Sequence, residues 1–390
     1  MNHDETPRLL APAARVAGLP RRTFLAGLAA VAGAPVLTAC GFSTSTGSSS
    51  GSSGSGQATA NLRAYSWSAY DDPKVLADFT AKYGPKVLVD SYSSNEEMIA
   101  KLAAAKGTSG YDIVIPTGVF VPQMAANGLL EELDHTKLPN LVNLDKAFQD
   151  QEWDKGNKYT VTKYWGTTGF VYDTKVIKRD LKTWDDFFDA ASKEASGKTS
   201  LVDDPGEICA MLCFARGWHQ STTDTAQLDA IETFLVDTLA RHIAAFDSSP
   251  GSSAIPQGTH ALMHCWNGDA RRGILAANEQ DRWKWVLPGP KTNLWMDNWA
   301  IVKGSQNADA AHRLINHVLD PAVAIKQIDF VGYGTGVTGS EDEAKKLKLG
   351  LLDVIFPSAE QLTTMYTGVI NDAQERRMAI VNKMKAKAGA

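Results

Sequence analysis

From residue 61 onward, short apolar runs alternate with segments in which apolar positions recur every three to four residues. Residues 61–66 read as a strand. Residues 73–83 read as a helix, with Asp71 or Asp72 as its cap, Pro73 in its first turn and Gly84 at its end. Residues 87–91 form a second strand candidate. Ser93 or Ser94 then opens a helix expected to run through Lys106 and to stop at Gly107. A buried strand is expected over 111–116 and a helix over 121–127. This β-α-β-α order predicts an α/β fold with parallel strands covered by helices. Such sheets take ligands beyond the carboxyl ends of their strands. Trp67, Ser68, Tyr70 and Thr117 all lie just past such ends.

The pattern loosens in the middle of the chain. Residues 164–172 are extended and carry two glycines, which suits a hinge or a crossing between domains. Helices are expected over 184–195, 207–216 and 225–242, and strands over 261–266 and 283–287. A short strand at 201 runs directly into the acids Asp203 and Asp204. Further helices are expected over 308–319 and from Pro321, and the tail over 360–387 reads as mostly helical.

The strongest chemical signal is Leu294-Trp295-Met296-Asp297-Asn298-Trp299-Ala300. In an extended segment Trp295 and Asp297 point to one face. A carboxylate beside an indole face is an environment for a cation. Trp67-Ser68-Ala69-Tyr70, Cys265-Trp266-Asn267-Gly268-Asp269 and Asp203-Asp204-Pro205-Gly206-Glu207 supply more aromatic rings and acids. Together these four segments suggest the walls of one cleft for an aliphatic amine. A lone Trp is more often core packing, so repetition carries the argument.

The first 40 residues read as an address. Arg21-Arg22-Thr23-Phe24-Leu25 is a twin-arginine region followed by an apolar run to Leu37. That run ends at Leu37-Thr38-Ala39-Cys40, a lipobox-like sequence that would leave Cys40 as the lipidated first residue. Residues 41–58 are almost all Gly, Ser and Thr, the composition of a flexible tether. The whole chain carries a net charge of −5, and without residues 1–40, which hold four basic and two acidic residues, it stands at −7. That balance argues against a nucleic-acid partner. With Cys40 lipidated, three thiols remain. Cys265 could pair with Cys209 or Cys213, but free buried thiols are the favoured expectation.

Other motifs carry less. Gly334-Thr335-Gly336-Val337-Thr338-Gly339 has the spacing of a dinucleotide loop but follows a helix where a strand is required. Ser340 with Glu343 reads as a capping box. His260 and His264 have no third ligand nearby, so neither a metal nor any other cofactor is expected. Asp204 and Glu207 could in principle act as acid and base in a secreted amine-processing hydrolase. No nucleophile or cofactor loop accompanies them. A lipoprotein serving only adhesion or scaffolding is a further alternative.

Taken in order, Tyr65-Ser66-Trp67-Ser68-Ala69-Tyr70, Ser94-Asn95-Glu96, Tyr111-Asp112-Ile113-Val114-Ile115-Pro116, Trp165-Gly166, Asp203-Asp204-Pro205, Trp266-Asn267-Gly268, Trp295-Met296-Asp297 and Gly332-Tyr333 resemble the spermidine/putrescine-binding proteins. These are the extracytoplasmic receptors of polyamine ABC importers. The resemblance covers nearly all of the chain from about residue 60. It implies a two-lobed type II periplasmic-binding-protein fold, each lobe a mostly parallel sheet with flanking helices, and two chain crossings. The lobes would be 59–166 plus 296–341 and 171–295 plus 346–390. Trp67, Tyr70, Trp266, Trp295 and Tyr333 would box the methylene chain. Asp204, Glu207 and Asp297 would hold amino groups, Ser68 and Thr117 would add polar contacts, and Asp269 matches an acid of the putrescine-preferring branch. The protein would act as a monomer, with an ABC permease as partner. Three positions depart from the family pattern: Ala69 replaces an acid, Val119 an aromatic, and Thr367 an amide contact. The length of the amine therefore stays open, as does a receptor for another amine or amino-acid derivative.

Overall fold

The computed structural model describes residues 61–105 and 109–389. The expected leader, Cys40, the tether and the helix end at Lys106–Gly107 lie outside the described residues. Nine strands are present among them: β1 Leu62–Trp67, β2 Val87–Tyr92, β3 Ile113–Val114, β4 Thr160–Asp173, β5 Thr199–Leu201, β6 Ile243–Phe246, β7 Leu262–Trp266, β8 Trp283–Val286 and β9 Leu294–Ile301. They run in the order β2-β1-β3-β9-β4-β7-β5-β6, with β8 also on β4.

Each half of this sheet has a parallel core of three strands. β1 pairs in parallel with β2 and β3, and β5 with β6 and β7. The intervening helices supply the crossovers that parallel pairing demands. The remaining pairings, β3–β9, β4–β9, β4–β7 and β4–β8, are antiparallel. Each half thus keeps the expected parallel core, and the strands that join the halves run against their neighbours.

β4 explains the joint. Residues Thr160–Thr167 pair with β9, whereas Thr168–Asp173 pair with β7 and β8. All 14 of its residues are buried. Such a strand shows no alternation of apolar and polar positions, and for that reason only 164–172 stands out in the sequence. Separate cores flank the joint. One is built around Phe79, Ile115, Leu314 and Ile315, the other around Phe170, Trp184, Phe187 and Met211.

The helix Pro73–Tyr83 forms with Asp72 as its cap, accepting from the Lys74 N–H, and with Gly84 closing it at φ 98°. Ser94 caps Asn95–Ala104. Other expectations change. The strand at 111–116 shrinks to Ile113–Val114. The helical path over 225–242 alters its pitch, passing from α-helix (Thr225–Glu232) through a π-helical stretch (Thr233–Leu239) to a 3₁₀ turn (Ala240–His242).

The tail is helical only at Ala359–Leu362 and Gln374–Ala388. Between them Thr363, Thr364, Thr367 and Gly368 are poor helix formers, and the Thr367 hydroxyl donates to the Leu294 carbonyl at 2.7 Å. Ser340 is no capping residue. Gly339 holds that position, and the Ser340 hydroxyl turns back to the Val337 carbonyl at 2.6 Å. Cys209, Cys213 and Cys265 are free and buried, so neither pairing of Cys265 forms. His264 lies buried against Trp184 and Phe187.

Candidate ligand-binding cleft

A cavity of about 240 Å³ lies where the strand ends of both halves meet. The sequence-derived candidates Trp67, Ser68, Tyr70, Thr117, Asp204, Glu207, Trp266, Asp269, Trp295, Asp297 and Tyr333 all line it. The four segments singled out in the sequence thus converge on one space, together with Thr117 and Tyr333. Val119 and Thr367, two of the departures, line it as well.

Position follows from local structure. Along β9, Trp295 and Asp297 face the cavity as alternation requires, and Met296 does not. Asp297 sits opposite Tyr164 of β4, and Trp295 opposite Gly166. A Cβ at 166 would come within 2.4 Å of the Trp295 ring, so only glycine lets the indole lie across the crossing. Gly268 does the same for Tyr333, whose ring would be 2.4 Å from an added Cβ.

The aromatic residues form an unbroken chain of contacts. Ring centroids are 6.4 Å apart for Trp67–Trp266, 6.5 Å for Trp266–Trp295, 5.0 Å for Trp295–Tyr333 and 5.6 Å for Tyr333–Tyr70. The Nε1 atoms of Trp67 and Trp295 are buried without partners among the described residues. Residues from both halves make this wall.

Five carboxylates line the same space, namely Glu96, Asp204, Glu207, Asp269 and Asp297, against one arginine, Arg377. Arg377 directs its donors to the Thr222 carbonyl, Gln374 and Asn371, and so fixes the loop before the last helix. Asp297 is 6% exposed and accepts from the Tyr70 hydroxyl at 2.7 Å and the Thr117 hydroxyl at 2.7 Å. Asn95 in turn holds Thr117, donating to its Oγ1 and accepting from its N–H, both at 3.0 Å. Burial pushes the Asp297 carboxyl up to about 6, against the pull of its two hydrogen bonds and of Lys163.

Glu207 is pushed up to about 7, first by burial and then by the neighbouring charge of Asp204. Its Oε1 accepts from Thr168 (2.8 Å), Asn293 (3.0 Å) and the Trp266 indole (3.1 Å). Its Oε2 is buried with no partner among the described residues. Asp204 caps the helix Pro205–Ala215 by accepting from the Glu207 N–H, and burial raises it too. Glu96 is raised by burial and by Asp204, and accepts from Gln374 across the cleft at 3.1 Å. Asp269 accepts from the Tyr333 hydroxyl at 3.0 Å and forms an ion pair with Arg272.

Several participants carry no functional signal in the sequence. Asn95 and Glu96 stand out there only as part of a motif. Asn293 lies in a connection without pattern, and Gln374 opens a helix that begins well past its expected start. Lys163 is buried behind Asp297, paired with Asp71, and sits 3.8 Å from the Trp299 ring centroid. A lysine inside a strand gives no sign of burial unless its acid partner, here 92 positions away, is known.

A crowd of carboxylates raised by burial, with aromatic faces beside them, is a site that gains by receiving positive charge. Residues 74–350 match the model of the bacterial extracellular solute-binding proteins. The chain is 34% identical over 303 residues to spermidine/putrescine-binding periplasmic protein 1 of Haemophilus influenzae, covering 76% of this chain and 81% of that one. It is 31% identical to the putrescine/cadaverine-binding protein of Pseudomonas aeruginosa, over 85% of this chain and 94% of that one. Among solved structures, the spermidine/putrescine ABC transporter substrate-binding protein of Streptococcus pneumoniae superposes with a TM-score of 0.69 at 26% identity, covering 84% of this chain and 99% of that one. The chain therefore belongs to the bacterial extracellular solute-binding proteins and, within them, to the family of the spermidine/putrescine-binding periplasmic proteins.

Proposed function

We propose that this protein captures a polyamine of the putrescine or spermidine type and delivers it to an ABC permease. The observation that carries the reading is the imbalance in the cleft. Four buried or half-buried acids, Glu96, Asp204, Glu207 and Asp297, are met directly only by neutral donors among the described residues. Ammonium groups would take the open positions on Asp297, Glu207 and Asp204. The methylenes would lie along Trp67, Tyr70, Trp266, Trp295 and Tyr333, with Ser68 and Thr117 at the polar edge and Asp269 closing one side. Calorimetric titration of the protein, freed of its leader and tether by starting near Gln57, against a panel of amines tests this. Putrescine or spermidine is expected to bind tightly and to return chemically unchanged by mass spectrometry. A converted ligand would favour the hydrolase reading, although Asp204 and Glu207 are already engaged in capping and in three hydrogen bonds.

The lobes in this reading are 59–166 plus 296–341 and 171–295 plus 346–390. They close about Gly166–Thr168 and Trp295–Met296, as hinge closure does in binding proteins generally. Small-angle scattering should give a smaller radius for the liganded form, and identical curves at saturating ligand would exclude closure. The working protein would be a monomer exported by the twin-arginine route and held at the outer face of the membrane by lipid on Cys40. The Cys40→Ala precursor should then leave the membrane fraction, whereas continued retention would count against the anchor.

A further inference from the structure

Asp269 differs from the other four cleft acids. Among the described residues it alone of the five has a cation as a direct partner: Arg272, one helical turn on, donates to Oδ1, while Tyr333 occupies Oδ2 at 3.0 Å. The pairing is built into the fold at both ends. Asp269 and Arg272 share the helix Asn267–Ala276 at the i,i+3 spacing that brings side chains together. The other arm of the guanidinium reaches the Ala69 carbonyl at 3.3 Å, in a turn where Ala69 holds the left-handed conformation at φ 53°. Arg272 is not part of the cavity wall, whereas Asp269 is. The cavity therefore meets a carboxylate already neutralised from behind, and a further cation brought to it also meets the field of a fixed guanidinium.

We infer that Arg272 is a specificity-determining residue that closes the Asp269 side of the cleft to an ammonium group and so favours a diamine over a triamine. The inference rests on the amine-receptor reading. Selectivity of this kind comes from a repulsive element against the unwanted ligand as much as from attraction to the wanted one. The four acids without cationic partners stay open to ammonium groups, whereas a charge of a longer amine that reaches the Asp269 side meets an acid already paired with a guanidinium.

Calorimetry with 1,4-diaminobutane and spermidine on wild type, Arg272→Gln and Arg272→Met tests this, with folding followed by thermal melts. Arg272→Gln should shift the spermidine-to-diamine affinity ratio toward spermidine by about tenfold or more, the worth of one charged hydrogen bond gained. Arg272→Met, which keeps the reach of the stem without charge or donors, should do the same. Adding Asp269→Asn to Arg272→Gln should abolish the shift. A ratio that moves less than about threefold in both single variants, or an equal loss for both amines in a folded protein, would overturn the inference and leave the receptor reading intact. If wild type bound neither amine, the receptor reading would fall first and the inference with it.

Discussion

Asp297 and Asp269 occupy one cavity and are held in nearly the same way, yet their second partners separate them. Each accepts from a tyrosine hydroxyl, Tyr70 at 2.7 Å and Tyr333 at 3.0 Å. The other oxygen of Asp297 takes the Thr117 hydroxyl, a neutral donor, whereas that of Asp269 takes the Arg272 guanidinium. Neutral donors orient a carboxylate and leave its charge for a ligand. A cationic donor uses that charge inside the protein. Two acids that look alike in sequence, each near a Trp, thus have opposite prospects as ammonium sites. Lys163 does not remove the contrast, because it is paired with Asp71 and reaches Asp297 only through space.

The contrast breaks most visibly at Asp297. Removing one partner of a buried charge pair costs about 2–5 kcal/mol, much of it from stranding the other charge. Asp297→Ala should therefore weaken diamine binding by roughly thirty-fold to several-thousand-fold at about 1.4 kcal/mol per tenfold. Asp297→Asn should be nearly as damaging, because shape is kept and charge is lost. An Asn variant within about threefold of wild type would remove the basis of the comparison.

Glu207→Gln comes next. It keeps the acceptor for Thr168, Asn293 and Trp266 and loses the charge on the unpartnered oxygen, so a loss of about tenfold to a hundredfold is expected. Binding as tight as wild type in calorimetry would move the second ammonium site away from Glu207.

The pH dependence is smaller and has a definite sign. In the empty protein Asp297 and Glu207 titrate at about 6 and about 7, above the ordinary carboxylate values near ~4 of an unfolded chain. Protons thus bind more tightly to the folded state. The resulting stabilisation is complete below the unfolded values and is lost as pH rises through about 6 to 7. Empty protein should melt lower at pH ~8 than at pH ~5.5 as far as these two groups decide. Ligand requires the ionised acids, so its stabilising shift in Tm should grow over the same interval. Near pH ~6.5 binding should release protons, seen as a calorimetric heat that varies with buffer ionisation enthalpy. Equal ligand-induced shifts at both pH values would contradict the raised acids. The smallest effect is expected from Arg272→Gln combined with Asp269→Asn, which removes a pair that cancels internally. Diamine affinity should change by less than about threefold.

Much of this is legible in the sequence because most of the candidate site residues sit in or next to the first or last turn or residue of an element, where local signatures are strongest. Pro73, Gly84 and Asp72 mark a helix by capping chemistry alone, and alternation places Trp295 and Asp297 on one face. What stays hidden depends on distant partners. Arg272 is an ordinary helix residue until the fold brings Asp269 and the Ala69 carbonyl to it. β4 is buried on both faces and loses its period, so neither its full length nor its antiparallel place is readable. The helix Asn267–Ala276 gives no helical signal because Asn267, Gly268 and Gly273 read as turn residues. Packing against Tyr333 and Ile255 is what calls for glycine at 268 and 273.

The central claim is that this cleft recognises positive charge at both ends of a short aliphatic chain. Titration of the protein with 1,4-diaminobutane and, separately, with the isosteric neutral 1,4-butanediol tests it without any mutation. The diamine should bind and the diol should be weaker by about a thousandfold or more, since a hydroxyl can donate to a buried carboxylate but leaves its charge without a counter-ion at both ends. A diol that bound within about tenfold of the diamine would show that shape and apolar contact govern the cleft, and would contradict the account.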